Sequence, residues 1–450
     1  MIRSETLAGS ESLTGKAKVG YAFTCTTFIS FAENYGMIEF KRHILDNGLR
    51  IIVNEDETTP LVAVNVMYDV GARDEDPGKT GFAHLFEHMM FGGSVNIPKY
   101  DEPLEKIGGR NNAFTNNDIT SYYCTLPVQN IETAYWLESD RMLDLAFSPK
   151  SLEVQRNVVS EEFRQVYLNQ PYGDVWLLLR PMVYKKHPYQ WPTIGKSIEH
   201  VQNATMEDVK SFYHTYYNPN NAVLVVSGNV KPDAVFRLAE KWFGPIQNKG
   251  KNARSLPAEP KQTKSRSLTV HRDVPLDAIY KAYHMCSRMD AEYYATDLLS
   301  DVLSNGNSSR LFQKLVKEKK MFSDISAYIT GDIDKGMFVI NGNLIEGVAM
   351  KDAENAIQEE VSKLKDNKPS DSETQKVQNK VESGLIFAEA NTLNKAINLS
   401  HLEIVDKAEL NNRLIDMYAA VKPADIQQLA AEILDENNCS TLYYHAKNNS

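Results

Sequence analysis

Cysteine is scarce in this chain: Cys25, Cys124, Cys286 and Cys439 are the only 4 among 450 residues. They lie far apart and form no CxxC pair. That excludes a disulfide-framed scaffold and a sulfur-ligated metal site, and leaves isolated buried thiols. Long apolar runs are missing too. No stretch approaches the roughly 18 residues of a membrane span, so no membrane span is expected. Basic charge is in deficit, with Lys+Arg 49 against Asp+Glu 59 for a net −10. An electrostatic grip on nucleic acid or anionic lipid is therefore disfavoured, and nucleic-acid partners are not expected. Compositional bias is absent as well: 42% hydrophobic and 24% charged residues describe a folded globular protein, neither disordered nor fibrous. The length is too great for one core, since domains run to about 100–200 residues, and two are expected.

Residues 1–36 stand apart. Val19 to Ala32 is apolar but diluted by threonine and serine, and it follows a polar stretch holding Lys16 and Lys18. The segment reads as a weak leader or an upstream extension, with a cytoplasmic location expected and a periplasmic one as the alternative. Patterned sequence begins at Met37. Arg50 to Asn54, Leu61 to Tyr68, Ile119 to Pro127 and Leu224 to Asn229 are β-rich runs. Helices are predicted over Gly81–Met90, Ile131–Asp144, Ser151–Tyr167 and Pro232–Phe243. Residues 246–264 are polar, basic and proline-containing, the profile of a linker. Beyond them the order repeats. A strand over Ala278–Met285 precedes a helix over Tyr293–Leu303, and a strand over Met337–Leu344 precedes helices over Val348–Lys365 and Ser372–Ala390. A last helix, Pro423–Leu434, leads to a strand over Ser440–Tyr444. This is the signature of an internal duplication. The expected domains are 37–245 and 265–450, joined by 246–264.

Chemistry concentrates in Gly81-Phe82-Ala83-His84-Leu85-Phe86-Glu87-His88. On a helix, His84 and His88 lie one turn apart on one face, a spacing that can offer two imidazole nitrogens to one metal ion. Glu87 flanks that face and can act as general base toward an attacking water. This is the HxxEH motif of inverzincins. A catalytic zinc takes three protein ligands and keeps one position open. The competing reading is a pair of satisfied core histidines, and a third ligand decides between them. The helix after residue 150 offers Glu161 and Glu162, although adjacent glutamates on a helix are ordinarily a solvated face.

With HxxEH, and with Glu162 standing 74 residues after His88 in Arg156-Asn157-Val158-Val159-Ser160-Glu161-Glu162, the chain resembles the family of pitrilysin, insulin-degrading enzyme and mitochondrial processing peptidase. The likeness spans residues 38–447 and weakens in the second half. It implies a zinc metalloendopeptidase with one Zn2+ per chain held by His84, His88 and Glu162. Glu87 is then the general base and Glu161 the solvent-side neighbour of the third ligand. Gly108 to Thr115 resembles the family's edge strand, on which Asn112 and Ala113 would bind a peptide as an added strand; an asparagine-rich turn is the alternative. The implied fold is α+β: two homologous domains, each a mostly antiparallel sheet packed by helices, together forming half of a clam-shell chamber for unfolded peptides.

Three features depart from the family pattern. Gln155 stands where relatives often carry a second glutamate supporting the zinc. The second-half helix that matches HxxEH holds Asp297, Ser300 and Asp301, so that half reads as catalytically empty. Active relatives also carry an Arg and a Tyr seven residues apart, where this chain has Val316 and Ser323. The resemblance then implies the zinc-bearing subunit of a heterodimer, its paralogue supplying the Arg/Tyr pair. A homodimer using Lys317 or Tyr328 is the fallback. A non-catalytic core-type subunit of a larger complex is the alternative function. A purely structural zinc is weakly supported, because such sites are rich in cysteine and none lies near the motif.

Overall fold

The computed structural model describes residues 37–250 and 254–447, so the reading of 1–36 as a leader or extension lies outside the described residues. Two sheets form among them. The first contains β1 (Lys41–Ile44), β2 (Arg50–Glu55), β3 (Leu61–Tyr68), β4 (Arg110–Thr115), β5 (Thr120–Pro127) and β6 (Ala222–Gly228), in the order β1-β2-β6-β3-β5-β4. The second contains β7 (Arg266–Arg272), β8 (Ala278–His284), β9 (Phe322–Ile329), β10 (Met337–Leu344) and β11 (Cys439–Ala446), in the order β7-β11-β8-β10-β9. Leaving out β1, the two orders are the same. Each sheet has a single parallel pair, β2 with β6 and β7 with β11, and is otherwise antiparallel. The duplication expected from the element order is therefore present in the topology, and the architecture is the α+β one the resemblance implied.

The helices that matter here are α1 (Phe82–Met89), α2 (Ile131–Leu143), α3 (Pro149–Phe163), α4 (Val175–Val183), α5 (Tyr293–Ser304), α6 (Asp371–Glu389) and α7 (Thr392–Val405). The period-2 side chains of β3 explain how they are placed. Val62, Val64 and Val66 face Phe82, Leu85 and Phe86 of α1 and Leu137 of α2. Ala63, on the opposite face, packs with Ile52 and Val225 against Ala396 and Leu399 of α7. The second sheet does the same in reverse. Phe338 and Ile340 face Leu298 and Leu299 of α5, while Val339, Ala278 and Leu442 face Val175, Leu179 and Val183 of α4. Each sheet thus has one face sealed by a helix from the other half of the chain. That is why β6 is buried at every residue and reads as one apolar run.

A polar pin marks the α7 contact. Asn65 on β3 donates Nδ2 to Ser400 Oγ at 2.7 Å and accepts from Ser121 Oγ at 2.7 Å, all of it buried. The polar stretch 246–264 is also tied down. Arg254 reaches Asp74 at 2.7 Å, the Glu259 carboxylate accepts the N–H groups of Lys185, Lys186 and His187, and Gln262 donates to Cys439 O. One expectation needs correction. The helix read as running to Tyr167 leaves α geometry at Phe163 and continues as a π-helical turn over Arg164–Leu168.

Candidate metal and peptide site

The start of α1 is fixed by backbone geometry. Gly81 precedes it at φ 87, and a Cβ there would lie 2.5 Å from Ile194 O, so only glycine fits. Gly81 has no side chain with which to cap the helix. Glu75 does so from the preceding loop, accepting the Gly81 and Ala83 N–H groups at 2.9 Å each and Trp191 Nε1 at 3.0 Å. A carboxylate here satisfies orphaned amides and complements the positive helix end. Complete burial nevertheless lifts the Glu75 carboxyl to about 8, against the pull of those donors. This buttress went unnoticed in the sequence; the available signal was an acid six residues before the glycine that precedes the helix.

The apolar side of α1 is buried, while His84, Glu87 and His88 are half-buried on the other side. Phe86 stacks on Tyr217 with centroids 5.3 Å apart, and Tyr122 donates its hydroxyl to Phe86 O at 3.3 Å. α3 runs beside α1. Ser148 caps it, Pro149 opens its first turn, and Arg156 donates Nη1 to Gln202 O and Ala204 O at 3.1 Å each. These anchors bring Glu162, in the last turn, onto the two histidines.

His84 Nε2 lies 3.6 Å from Glu162 Oε1 and His88 Nε2 lies 3.4 Å from Glu162 Oε2. The two imidazole rings stand nearly perpendicular, their centroids 4.9 Å apart. Ligand atoms bonded to one tetrahedral zinc at about 2.0–2.1 Å stand about 3.3–3.4 Å from each other. The two histidine–glutamate separations match that spacing, and all three ligand atoms lie within 4.8 Å of one another. Their proton states fit as well. Burial pushes His84 below its ordinary value, favouring neutral imidazole, and the hydrogen bond from His88 holds the Glu162 carboxyl below its usual range. Among the described residues no other group of three or more His, Cys, Asp or Glu comes together in this way.

The other expected residues are placed as follows. Glu87 is half-buried beside His84, and its charge reaches the phenols of Tyr122 and Tyr217. β4 is the terminal strand of its sheet and packs beside α1, so Asn112 and Ala113 sit on an edge strand next to the helix that carries His84 and His88. Asn112 is exposed and Ala113 buried, and the Asn112 side chain turns back to accept the Ala113 N–H at 2.8 Å. Gln155 is half-buried on α3 two turns before Glu162, while Glu161 is exposed and paired with Arg164 at 3.2 Å. In the second half, Asp297 accepts the Tyr418 hydroxyl at 2.6 Å and Asp301 accepts Asn305 Nδ2 at 2.5 Å, so both acids already have partners. Ser323 is on β9 and donates to Asn343 O.

Comparison with known proteins gives matches along most of the chain. The profile described as Insulinase (Peptidase family M16) matches residues 50–195, and that of the Peptidase M16 inactive domain matches residues 203–381. The zinc protease PqqE of Helicobacter pylori is 33% identical over 307 residues, 66% of this chain and 69% of that protein. The uncharacterized zinc protease YmxG of Bacillus subtilis is 26% identical over 400 residues, 88% of this chain and 96% of the relative. A crystal structure of a protease from Helicobacter pylori matches with a TM-score of 0.86 at 27% identity, covering 91% of this chain and 100% of that one.

Proposed function

The chain belongs to peptidase family M16, the insulinase family, and from that premise we propose that it is a zinc endopeptidase of unfolded peptides and short polypeptides. The observation that carries the reading is the convergence of His84 Nε2 and His88 Nε2 on Glu162, at 3.6 and 3.4 Å, beside the edge strand β4. His84, His88 and Glu162 would hold one zinc per chain, with Gln155 and Glu161 flanking the third ligand. When bound, zinc supplies Lewis acidity toward a water and toward the scissile carbonyl oxygen.

The chain's own residues do the rest. The backbone of β4 at Asn112 and Ala113 pairs with an extended peptide, which selects for unfolded segments whatever their side chains. Glu87 takes a proton from the attacking water and returns it to the leaving amine nitrogen. Tyr122 and Tyr217 hold α1 in place beneath these groups.

Val316 and Ser323 occupy the positions where active relatives carry Arg and Tyr. On that ground the chain works as the zinc-bearing half of a two-subunit chamber closed by a paralogue that supplies the pair. A quenched fluorescent peptide tests this with the purified chain, with and without zinc, beside Glu87→Gln and a candidate partner. Zinc-dependent cleavage lost in Glu87→Gln supports the peptidase. Cleavage by the chain alone removes the need for the partner. Bound zinc with no cleavage in any pairing would make the chain a non-catalytic subunit.

A further inference from the structure

We propose that Asp332, in the second half of the chain, is a positioning residue for the peptide strand in the first: through Asn117 it holds the turn that sets where β4 lies. The inference rests on the peptidase reading and deepens it.

β4 is the last strand of its sheet, and among the described residues it pairs with β5 alone. The placement of such a strand depends on that pairing and on the turn that closes the hairpin. Residues 116–118 form this turn, with Asn116 N donating to Ile119 O at 3.0 Å. They are held from two sides. In the first half, the Ala72 and Arg73 N–H groups donate to Asn116 O and Asn117 O at 3.1 and 2.9 Å. From the second half, the connection between β9 and β10, residues 330–336, reaches the same turn. Asn117 Nδ2 donates to Asp332 Oδ1 at 2.6 Å, and the Ile333 N–H donates to Asp118 Oδ2 at 2.9 Å. Asn117 and Asp332 are 5% and 8% exposed, so water competes poorly for their bond.

Both ends of this link are braced. The second carboxylate oxygen of Asp332 accepts the Thr330 hydroxyl, and its carbonyl accepts the Arg288 N–H at 3.2 Å. Asp118 also accepts the Tyr189 hydroxyl at 2.5 Å and pairs with Arg73 Nη1 at 3.0 Å, and the same Nη1 reaches Asp334 at 3.1 Å. The matching strand orders make β9–β10 the counterpart of β4–β5, so corresponding turns of the two repeats meet. Asn112 and Ala113 stand five and four residues before Asn117 on the same hairpin. The half that brings no metal cluster of its own among its described residues thus fixes one end of the strand that pairs with the peptide. A link serving stability alone would shift the melting temperature and leave peptide affinity untouched.

The test compares the zinc-loaded full chain with Asp332→Ala, with Asn117→Asp, which sets two carboxylates against each other, and with the swapped pair Asn117→Asp plus Asp332→Asn, which again faces a donor with an acceptor. Binding of a fluorescein-labelled unstructured peptide is read by anisotropy in a Glu87→Gln background, and KM and kcat are read in chains that keep Glu87. Each single change should weaken binding by about two- to tenfold, the cost of re-ordering a loosened segment, and should raise KM with kcat and zinc affinity unchanged. The swapped pair should return both to the parent value. Hydrogen exchange over residues 108–118 should quicken in the single variants, at labelling times on which β3 and β6 stay protected, and slow again in the swapped pair. Parent-like peptide affinity in the single variants overturns the proposal. So does a swapped pair that restores nothing, or a loss of zinc affinity in step with peptide affinity. Should Asp332→Ala not fold, Asn117→Asp and the swapped pair decide. If the parent binds no peptide, the peptidase reading fails, and exchange over residues 108–118 still decides whether Asp332 orders β4: unchanged rates overturn that role, and faster rates uphold it.

Discussion

Replacing Glu138 by glutamine should cost the fold about 3–5 kcal/mol, although no atom is deleted from the skeleton of the side chain. Glu138 and Arg141 lie on α2 with 0% and 1% exposure. Arg141 donates Nε and Nη2 to the carboxylate at 2.9 and 2.6 Å, and Tyr100 adds its hydroxyl at 2.5 Å. Its guanidinium also lies 4.4 Å from the ring centre of Tyr122, 4.5 Å from that of Tyr100 and 5.5 Å from that of Phe91. Glutamine removes the only carboxylate that pairs with this cation among the described residues and turns an amide donor toward it, so a buried charge is left uncompensated. Replacing the whole group with Glu138→Leu, Arg141→Met and Tyr100→Phe removes the charge together with its need for a partner. That triple variant should therefore be more stable than Glu138→Gln alone, despite three changes. Urea unfolding of the zinc-free chain measures both. A loss under about 1 kcal/mol in Glu138→Gln would refute the argument, and so would a triple variant at least as damaged as the single one. Because Tyr122 also holds Phe86 O of α1, Glu138→Gln should weaken zinc binding as well.

Three further outcomes are expected. Glu162→Gln should lower zinc affinity more than a hundredfold, since even residues that only orient the ligands are worth 10–100-fold; stoichiometric zinc surviving dialysis would contradict this. Burial raises Glu75 from 4.5 to about 8, so the folded chain binds this proton more tightly than the unfolded one. The associated stability is full below about pH 4.5 and is lost as pH rises through about 8. Glu75→Gln should therefore gain on the parent between pH 6 and pH 9, and a gap independent of pH would refute the shift. Ser400→Ala leaves Asn65 Nδ2 buried without its partner and should cost about 1–3 kcal/mol in urea unfolding. No change there would mean that water replaces the hydroxyl.

The pairing of His84 with His88 was legible because its spacing is local. His84, Glu87 and His88 fall within a helix predicted to within one residue at each end, whereas Glu162 was singled out from Glu161 only by the family resemblance. The strands flanking that helix were legible for the same reason as the histidine pair, since β3 and β6 are long β-branched runs. What the sequence hid is what depends on partners far along the chain. Neither α4 nor α7 was predicted. Their apolar faces match a sheet in the other half, so no neighbouring segment frames them, and α4 even contains Pro181. β7 alternates in burial along its length, but only Leu268 and Val270 on its inner side are apolar, too few to announce a strand. Glu75 looked like one acid in a polar loop, because a cap made from six residues away leaves no pattern at the helix itself. Arg180 sits in an apolar stretch whose sequence does not reveal that its guanidinium holds the Tyr189 carbonyl.

The reciprocal sealing of the two sheets has a bearing on how such a chain arose and how it is made. Each repeat lends an arm to the other, as the subunits of a domain-swapped dimer do. A single repeat synthesised alone would show one bare apolar sheet face and one helix with nothing to cover, whereas two copies would satisfy each other. The exchange points to an ancestor that paired before its gene was duplicated and fused. It also orders events at the ribosome. Ser400 emerges 335 residues after its partner Asn65, so the outer face of the sheet behind the histidines stays open until most of the chain has been translated. Truncated products would release that apolar face unsealed, and quality control would meet them before they could collect a metal.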